Sequence, residues 1–238
     1  MALAEQFRTA FTSAQRRSRG DQILIPLMIV ESAVDALQIE GAGIAVTHGL
    51  RVPLAASNLE VTLIEKVQTT LGLGPCLAAV SSAEPVVADA MTIRTRWPTY
   101  YQELVAKTPF RSTASFPVGL PGQRPFAALD LYSSNPSGAP LWDSGQIQTA
   151  IVDPAAAWLA IGIYSEPGPL PGPPWLDAPS VKDRMAVWTA VGMIMEHRRI
   201  NNTDALASVR RYAQSTNRTL DDVASRLVNR TLRPSDLD

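Results

Sequence analysis

The stretch VWTAVGMIMEHRRINNTDALASVRRYAQSTNRTLDDVA, residues 187–224, contains two helix starts and parts of three apolar stripes. Asn201-x-x-Asp204 and Thr219-x-x-Asp222 each put a short oxygen-bearing side chain where it can accept the free N–H groups of a first turn. Ser180-x-x-Asp183, just upstream, has the same form. Val181, Met185, Trp188, Gly192 and Met195 recur at spacings of four, three, four and three, which predicts one apolar helix face. Ala205, Val209, Tyr212 and Ala213 predict a second face, and Leu220, Val223, Ala224, Leu227 and Val228 a third. Three capped amphipathic helices within residues 180–238 make a small all-α bundle.

Immediately before it lies SEPGPLPGPPWLDAP, residues 165–179, with six prolines and two glycines in fifteen positions. Such a stretch can neither continue a helix nor sit inside a sheet, so residues 164–179 are expected to form a semi-stiff linker. Further upstream the chain reads as α+β. Gly43–Thr47 and Arg51–Ala56 form a hairpin-like pair around His48-Gly49-Leu50, and 112–119 with 125–132 form a second antiparallel pair around Gly122-Gln123. Helices are expected from Pro26 to Glu40, over 58–72 with Leu59, Leu63, Val67 and Leu71 inward, over 97–105, and over 143–163 behind Asp143 and Ser144. Gly72, Gly74 and Pro75 are read as a break before Cys76. Residues 1–20 predict a separate amphipathic helix with Leu3, Phe7, Ala10, Phe11 and Ala14 on one side. An antiparallel sheet with flanking helices over 21–163 is not the alternating β/α pattern of a phosphate-receiving regulator.

Composition narrows the function. The 238 residues are 46% hydrophobic and 18% charged, enough for a sizeable core. The whole chain carries a net charge of −1, but residues 181–238 hold ten Lys/Arg against seven Asp/Glu, a net +3 at the C-terminal end. An anionic partner is sought there first. One cysteine, Cys76, and two histidines, His48 and His197, are too few for a metal cage or a cysteine-cycling reductase. No Ser/His/Asp set, P-loop or G-x-G-x-x-G is legible, so no catalysis, cofactor or metal is expected. The first twenty residues lack a signal-peptide pattern and the apolar run Ile23–Val30 is too short to span a bilayer, which points to the cytoplasm.

Residues 187–224 resemble the ANTAR domain of transcription antiterminators. Ala190, Gly192 and Met195 supply the first part of that pattern, Ala205, Val209, Arg210, Tyr212, Ala213 and Asn217 the middle, and Leu220, Val223 and Ala224 the end. Arg184 stands where the family often has an arginine. The family's Gln-Ala-Lys-Gly is here Thr189-Ala190-Val191-Gly192, so a lysine expected on the RNA-facing or interhelical surface is missing. Residues from about 22 to 163 resemble a GAF domain of the type fused to ANTAR domains in actinobacteria. That likeness is carried by Gly72-Leu73-Gly74-Pro75-Cys76-Leu77, Pro85-Val86-Val87-Ala88-Asp89, Arg96-Trp97-Pro98 and the strand pair around Ala127–Leu129.

The resemblance implies a signal-responsive regulator that binds paired stem-loops of nascent RNA as a homodimer, with a small molecule in its GAF-like part. RNA loops offer phosphates and unstacked bases, which suit arginine. Arg184, Arg210, Arg211, Asn217 and Arg218 are therefore the candidate RNA contacts. Asn217 also has the chemistry of a turn residue, Tyr212 reads as core, and Gly192 as a site of close helix packing. Cys76, Trp97 and Tyr101 are the candidate pocket residues, with Cys76 otherwise a buried structural thiol. The first helix and the 143–163 helix are the expected dimer faces, since each carries an apolar stripe. The alternative is a regulator that retains the ANTAR fold but works through protein contacts.

Overall fold

The computed structural model describes residues 2–47, 50–160, 173–182 and 184–237. His48, Gly49, linker residues 164–172 and the Asp183 end of the Ser180 cap lie outside them. The elements are α1 (Leu3–Arg17), α2 (Ile25–Leu37), β1 (Gly41–Val46), β2 (Val52–Ala56), α3 (Leu59–Leu71), α4 (Pro75–Ser82), β3 (Val86–Ala88), α5 (Ala90–Arg96) and α6 (Pro98–Lys107). They continue with β4 (Ser112–Val118), β5 (Ala127–Ser133), α7 (Ser144–Ile147), α8 (Asp153–Ala160), α9 (Pro179–Lys182), α10 (Met185–Arg198), α11 (Asn202–Ser215) and α12 (Leu220–Val228).

The five strands form one antiparallel sheet in the order β2-β1-β5-β4-β3. With an open connectivity of hairpins and helical excursions, this is the α+β class expected. Both faces of the sheet are covered. Ala42, Ile44, Ala114, Phe116, Val118, Ala127, Leu129 and Leu131 form one face and enter a large apolar core under α1, α2 and α8. Directly opposed residues share a face. The other face therefore lines up Gly43, Asp130 and Ser115 in one row and Gly41, Tyr132 and Thr113 in the next. These polar positions alternate with the apolar ones as a solvated face would, yet every residue of β4 and β5 is buried.

Helix α1 does not stand apart. Phe7, Phe11 and Ala14 are buried, and Phe11 stacks on Trp158 of α8 with ring centroids 3.7 Å apart. The apolar stripes expected to be dimer faces thus bury each other within one chain, because Trp158 supplies the surface that a second copy would have offered. The expected 143–163 helix is present to Ala160, interrupted by a wider turn at Gln148–Val152 just ahead of Pro154. Pro154 has no N–H to return to the preceding turn, and widening that turn accommodates it.

Two further helices, α4 and α5, lie where the sequence reading placed none. Gly72 closes α3 in the left-handed region (φ 68°), and Pro75 then opens α4 at a position whose N–H would be free in any case. Asp89 accepts the Thr92 N–H at 2.7 Å to start α5. The face of α3 also differs from expectation. Leu59 and Leu63 are exposed, 68% and 37%, while Val61, Ile64, Glu65, Gln68 and Thr69 turn inward.

The described end of the expected linker is folded, and its upstream part lies outside the described residues. Residues Pro174–Asp177 fold into a tight turn, and Trp175 is buried against α8 with its indole N–H donating to the Leu159 carbonyl at 3.1 Å. Beyond it, α10, α11 and α12 pack as the expected bundle. The Asn201 and Thr219 side chains accept the Asp204 and Asp222 N–H groups at 2.9 and 3.1 Å. The faces of α11 and α12 are largely as read, with Ala205, Val209, Ala213, Leu220, Val223, Ala224 and Leu227 buried, while Tyr212 is half-buried and Val228 exposed. That of α10 is not: Val187, Ala190, Val191 and Ile194 point inward, leaving Met185 and Trp188 exposed. Gly192 is exposed as well, and an added Cβ would meet nothing within 4 Å, so it serves no close helix packing inside this chain.

Candidate nucleic-acid interface

The five candidate contacts of the bundle do not form one open surface. Arg211 is exposed on α11, its guanidinium reaching back to the Ser208 hydroxyl at 3.3 Å. Arg218 is exposed in the turn before α12 and pairs with Asp222 at 2.7 Å. Asn217 holds the left-handed conformation there, φ 52°, so its turn-forming role is realised. Arg184 is buried, with Nη1 2.7 Å from Asp221 Oδ1, and ties the start of α10 to α12. Its expected role as an open RNA contact does not fit that burial.

Arg210 is the informative one. It lies one position round α11 from the buried Val209, and so does Gln214 from Ala213. Both face the end of α3. Arg210 Nε donates to the Thr69 carbonyl at 3.3 Å, and Gln214 Nε2 approaches the Thr70 carbonyl at 3.5 Å. These are carbonyls that a helix leaves without internal partners, at the negative end of its dipole. Gly72 makes the approach possible: a Cβ there would sit 2.7 Å from the Arg210 guanidinium carbon. The docking continues on α12, whose Leu220 N–H donates to Thr70 Oγ1 at 3.0 Å. Leu50, at the β1–β2 hairpin, is fully buried in the apolar core of the bundle. Burial, and then the like charge of Arg184, draws the Arg210 guanidinium below its ordinary value.

Two clefts lie along this junction. The larger, about 640 Å³, runs between the β2 edge and α10–α12 and is lined by Lys66, Lys182, Arg184, Asp221 and Ser225 among others. The smaller, about 160 Å³, sets Asn217 and Arg218 opposite Glu103 and Lys107 of α6.

Residues 180–228 match the ANTAR domain. The ANTAR region thus starts in α9 and takes in all three bundle helices. Within it Val191, where the resemblance leads one to expect lysine, is a core position, 3% exposed. Solved GAF domains align with part of the chain. One is a GAF domain region from Geobacter sulfurreducens PCA, at 17% identity and TM-score 0.44, covering 63% of this chain and 99% of that one. Another is the GAF domain of a phosphoenolpyruvate-protein phosphotransferase from Coxiella burnetii, at 16% identity and TM-score 0.47, covering 67% and 96%. A third GAF domain aligns at 13% identity and TM-score 0.40 over 66% and 87%. No curated protein matches the chain. No helix among the described residues is long and apolar enough to cross a membrane.

The candidate pocket residues Cys76, Trp97 and Tyr101 do not converge on either cleft of this junction. Trp97 is half-buried with the Arg96 guanidinium 4.4 Å over its ring, and both it and Tyr101 pack on the core beneath α3 and α6. Cys76 is fully buried, and the place beside it is filled by the chain's own Arg51. Arg51 spends all its N–H donors inside the protein. Nε points to Cys76 Sγ at 3.2 Å; Nη1 to the Glu65 carbonyl at 3.0 Å and Thr69 Oγ1 at 3.3 Å; Nη2 to Glu65 Oε2 at 2.5 Å and Asp130 Oδ2 at 3.0 Å. Tyr132, Gln68 and Ser115 complete the cluster with bonds to Glu65 or Asp130. Gly43 gives Glu65 its room over the sheet, since a Cβ there would lie 2.9 Å from that carboxyl. The sequence reading missed this cluster; Asp130 amid the apolar residues of β5 was its only local signal.

Burial pushes the Cys76 thiol well above its ordinary range, so little thiolate forms. Cys76 is expected to resist iodoacetamide in the folded protein and to label fully in denaturant. Rapid labelling of the native chain would contradict its placement.

Proposed function

We propose that this chain is a non-catalytic, signal-responsive regulator of transcription antitermination, whose ANTAR region binds stem-loops in nascent RNA as a homodimer. The observation that carries the proposal is the match of residues 180–228 to the ANTAR domain. The basic C-terminal segment, with Arg211 and Arg218 exposed, supports it by offering guanidinium groups to phosphates. The sheet domain serves as a GAF-type sensor in this reading. Val191 favours the second reading, a regulator acting through protein contacts, since a buried valine offers RNA nothing where the family pattern has lysine.

The test is binding of the full chain to a two-hairpin RNA at 50 and 200 mM salt, with Arg211→Ala beside it. Affinity should fall steeply with salt. The variant should lower the log–log slope by ~0.7–0.9, one phosphate's share. A folded chain that shows no binding at the lower salt would move the assignment to the protein-contact reading.

A further inference from the structure

We infer that the last turn of α3 is an intramolecular competitor for RNA: docked on it, the ANTAR region is held off and Arg210 is withheld. This rests on the RNA-binding reading above. Arg210 is half-buried, and among the described residues its acceptor is the Thr69 carbonyl, with no carboxylate paired to it. A helix C-terminus is a weak substitute for an anion, a fraction of a charge spread over several carbonyls. A phosphate forms shorter, charge-assisted bonds to guanidinium and would hold the same side chain better. The carbonyls of Thr69 and Thr70 therefore occupy Arg210 and Gln214 as phosphate oxygens would, without matching their strength.

The start of the ANTAR region stays anchored, with α9 on β2 and Val181 packed against the core of the sheet domain, so what undocks is the contact of α11 and α12 with α3. Among the described residues, the polar contacts of α3 with the bundle are Arg210 on Thr69, Gln214 on Thr70, and the Leu220 N–H on the Thr70 hydroxyl. Its apolar anchor from the hairpin is Leu50. The bundle supplies the remainder of its own core, twelve residues from Val187 to Leu237. Asn217 and Arg218 line the small cleft opposite α6 yet remain exposed, so the dock withholds Arg210 and not the turn before α12. Undocking would release Arg210 and Gln214 together.

The same turn of α3 is gripped from behind. Arg51 Nη1 holds the Glu65 carbonyl and the Thr69 hydroxyl, while the Thr69 carbonyl faces Arg210. A change in the sheet domain that shifts this turn alters the dock directly.

Two variants loosen the dock without touching a candidate RNA contact. Thr70→Val keeps the shape of the side chain but removes the acceptor of the Leu220 N–H, and Leu50→Ala removes the hairpin anchor. RNA affinity of each full-length variant is measured beside wild type by fluorescence anisotropy, and hydrogen exchange at the Leu220 amide reports undocking. Both variants should exchange faster at Leu220 and bind RNA roughly fivefold tighter, as expected when the competent state becomes more populated. Wild type should also exchange faster at Leu220 once RNA is bound. Faster exchange with unchanged or weaker binding would overturn the competition while leaving RNA binding intact. Unchanged exchange in both variants would overturn the dock itself. Absence of RNA binding in every form, including the undocked ones, would remove this inference and the proposed function together.

Discussion

Arg51→Ala is expected to lower the unfolding free energy by about 3–5 kcal/mol, the range for stripping one partner from a buried ion pair. The guanidinium is fully buried and its donors reach Cys76, Glu65, Thr69 and Asp130. Removing it leaves Glu65 and Asp130 facing each other in a dry site with no cation, and two carboxylates cannot both stay ionised there. Arg51→Lys should recover little. An ammonium is a compact charge with three donors, and it cannot span acceptors set on α3, α4 and β5. Urea unfolding followed by tryptophan fluorescence measures both variants. A loss below about 1 kcal/mol for Arg51→Ala would mean that the cluster contributes specificity and not stability.

This cluster also marks where sequence reading gave out. The second antiparallel pair, the bundle and the caps at Asn201 and Thr219 follow from local patterns, and local patterns suffice when one face of an element is plainly apolar. α3 offers two faces. Leu59, Leu63, Val67 and Leu71 form the more apolar one, yet Glu65, Gln68 and Thr69 turn inward because Arg51 and Asp130 wait there. Those partners stand fourteen residues before Glu65 and sixty-two after Gln68, beyond any helical period. α10 fails for a different reason. It is apolar nearly all round, so Met185, Trp188 and Met195 compete with Val187, Val191 and Ile194, and only the positions of α11 and α12 decide between them.

Arg210 shows the same limit on the functional side. Its place off the apolar stripe is legible in the sequence, and an exposed arginine is the ordinary consequence. The α3 turn that covers it lies 141 residues earlier in the chain. Arg184 is a related case, since its burial depends on Asp221, a residue of the third bundle helix. The sequence names the residues able to meet an anion, and the docked structure decides which of them are free to do so.

Stability is expected to fall as pH rises from 4.5 to about 7. Burial, opposed by Arg51 and reinforced by Asp130, raises the Glu65 carboxyl from 4.5 to about 7. Between those values the folded chain keeps a proton that the unfolded chain has released. The native state therefore binds more protons, and the linkage slope is negative: each pH unit removes up to about 1.4 kcal/mol across that window. The contribution is fully present below 4.5 and is gone once pH passes about 7. The charge count gives the physical reason. One buried guanidinium balances one carboxylate, and a second ionised carboxylate leaves the cluster with a net negative charge out of reach of water. Glu65→Gln keeps the neutral form at every pH, so its denaturant midpoint should be nearly level over the same range while wild type declines. A level wild-type profile would show that Glu65 ionises at low pH in the folded chain, with Arg51 and the surrounding hydroxyls carrying its charge.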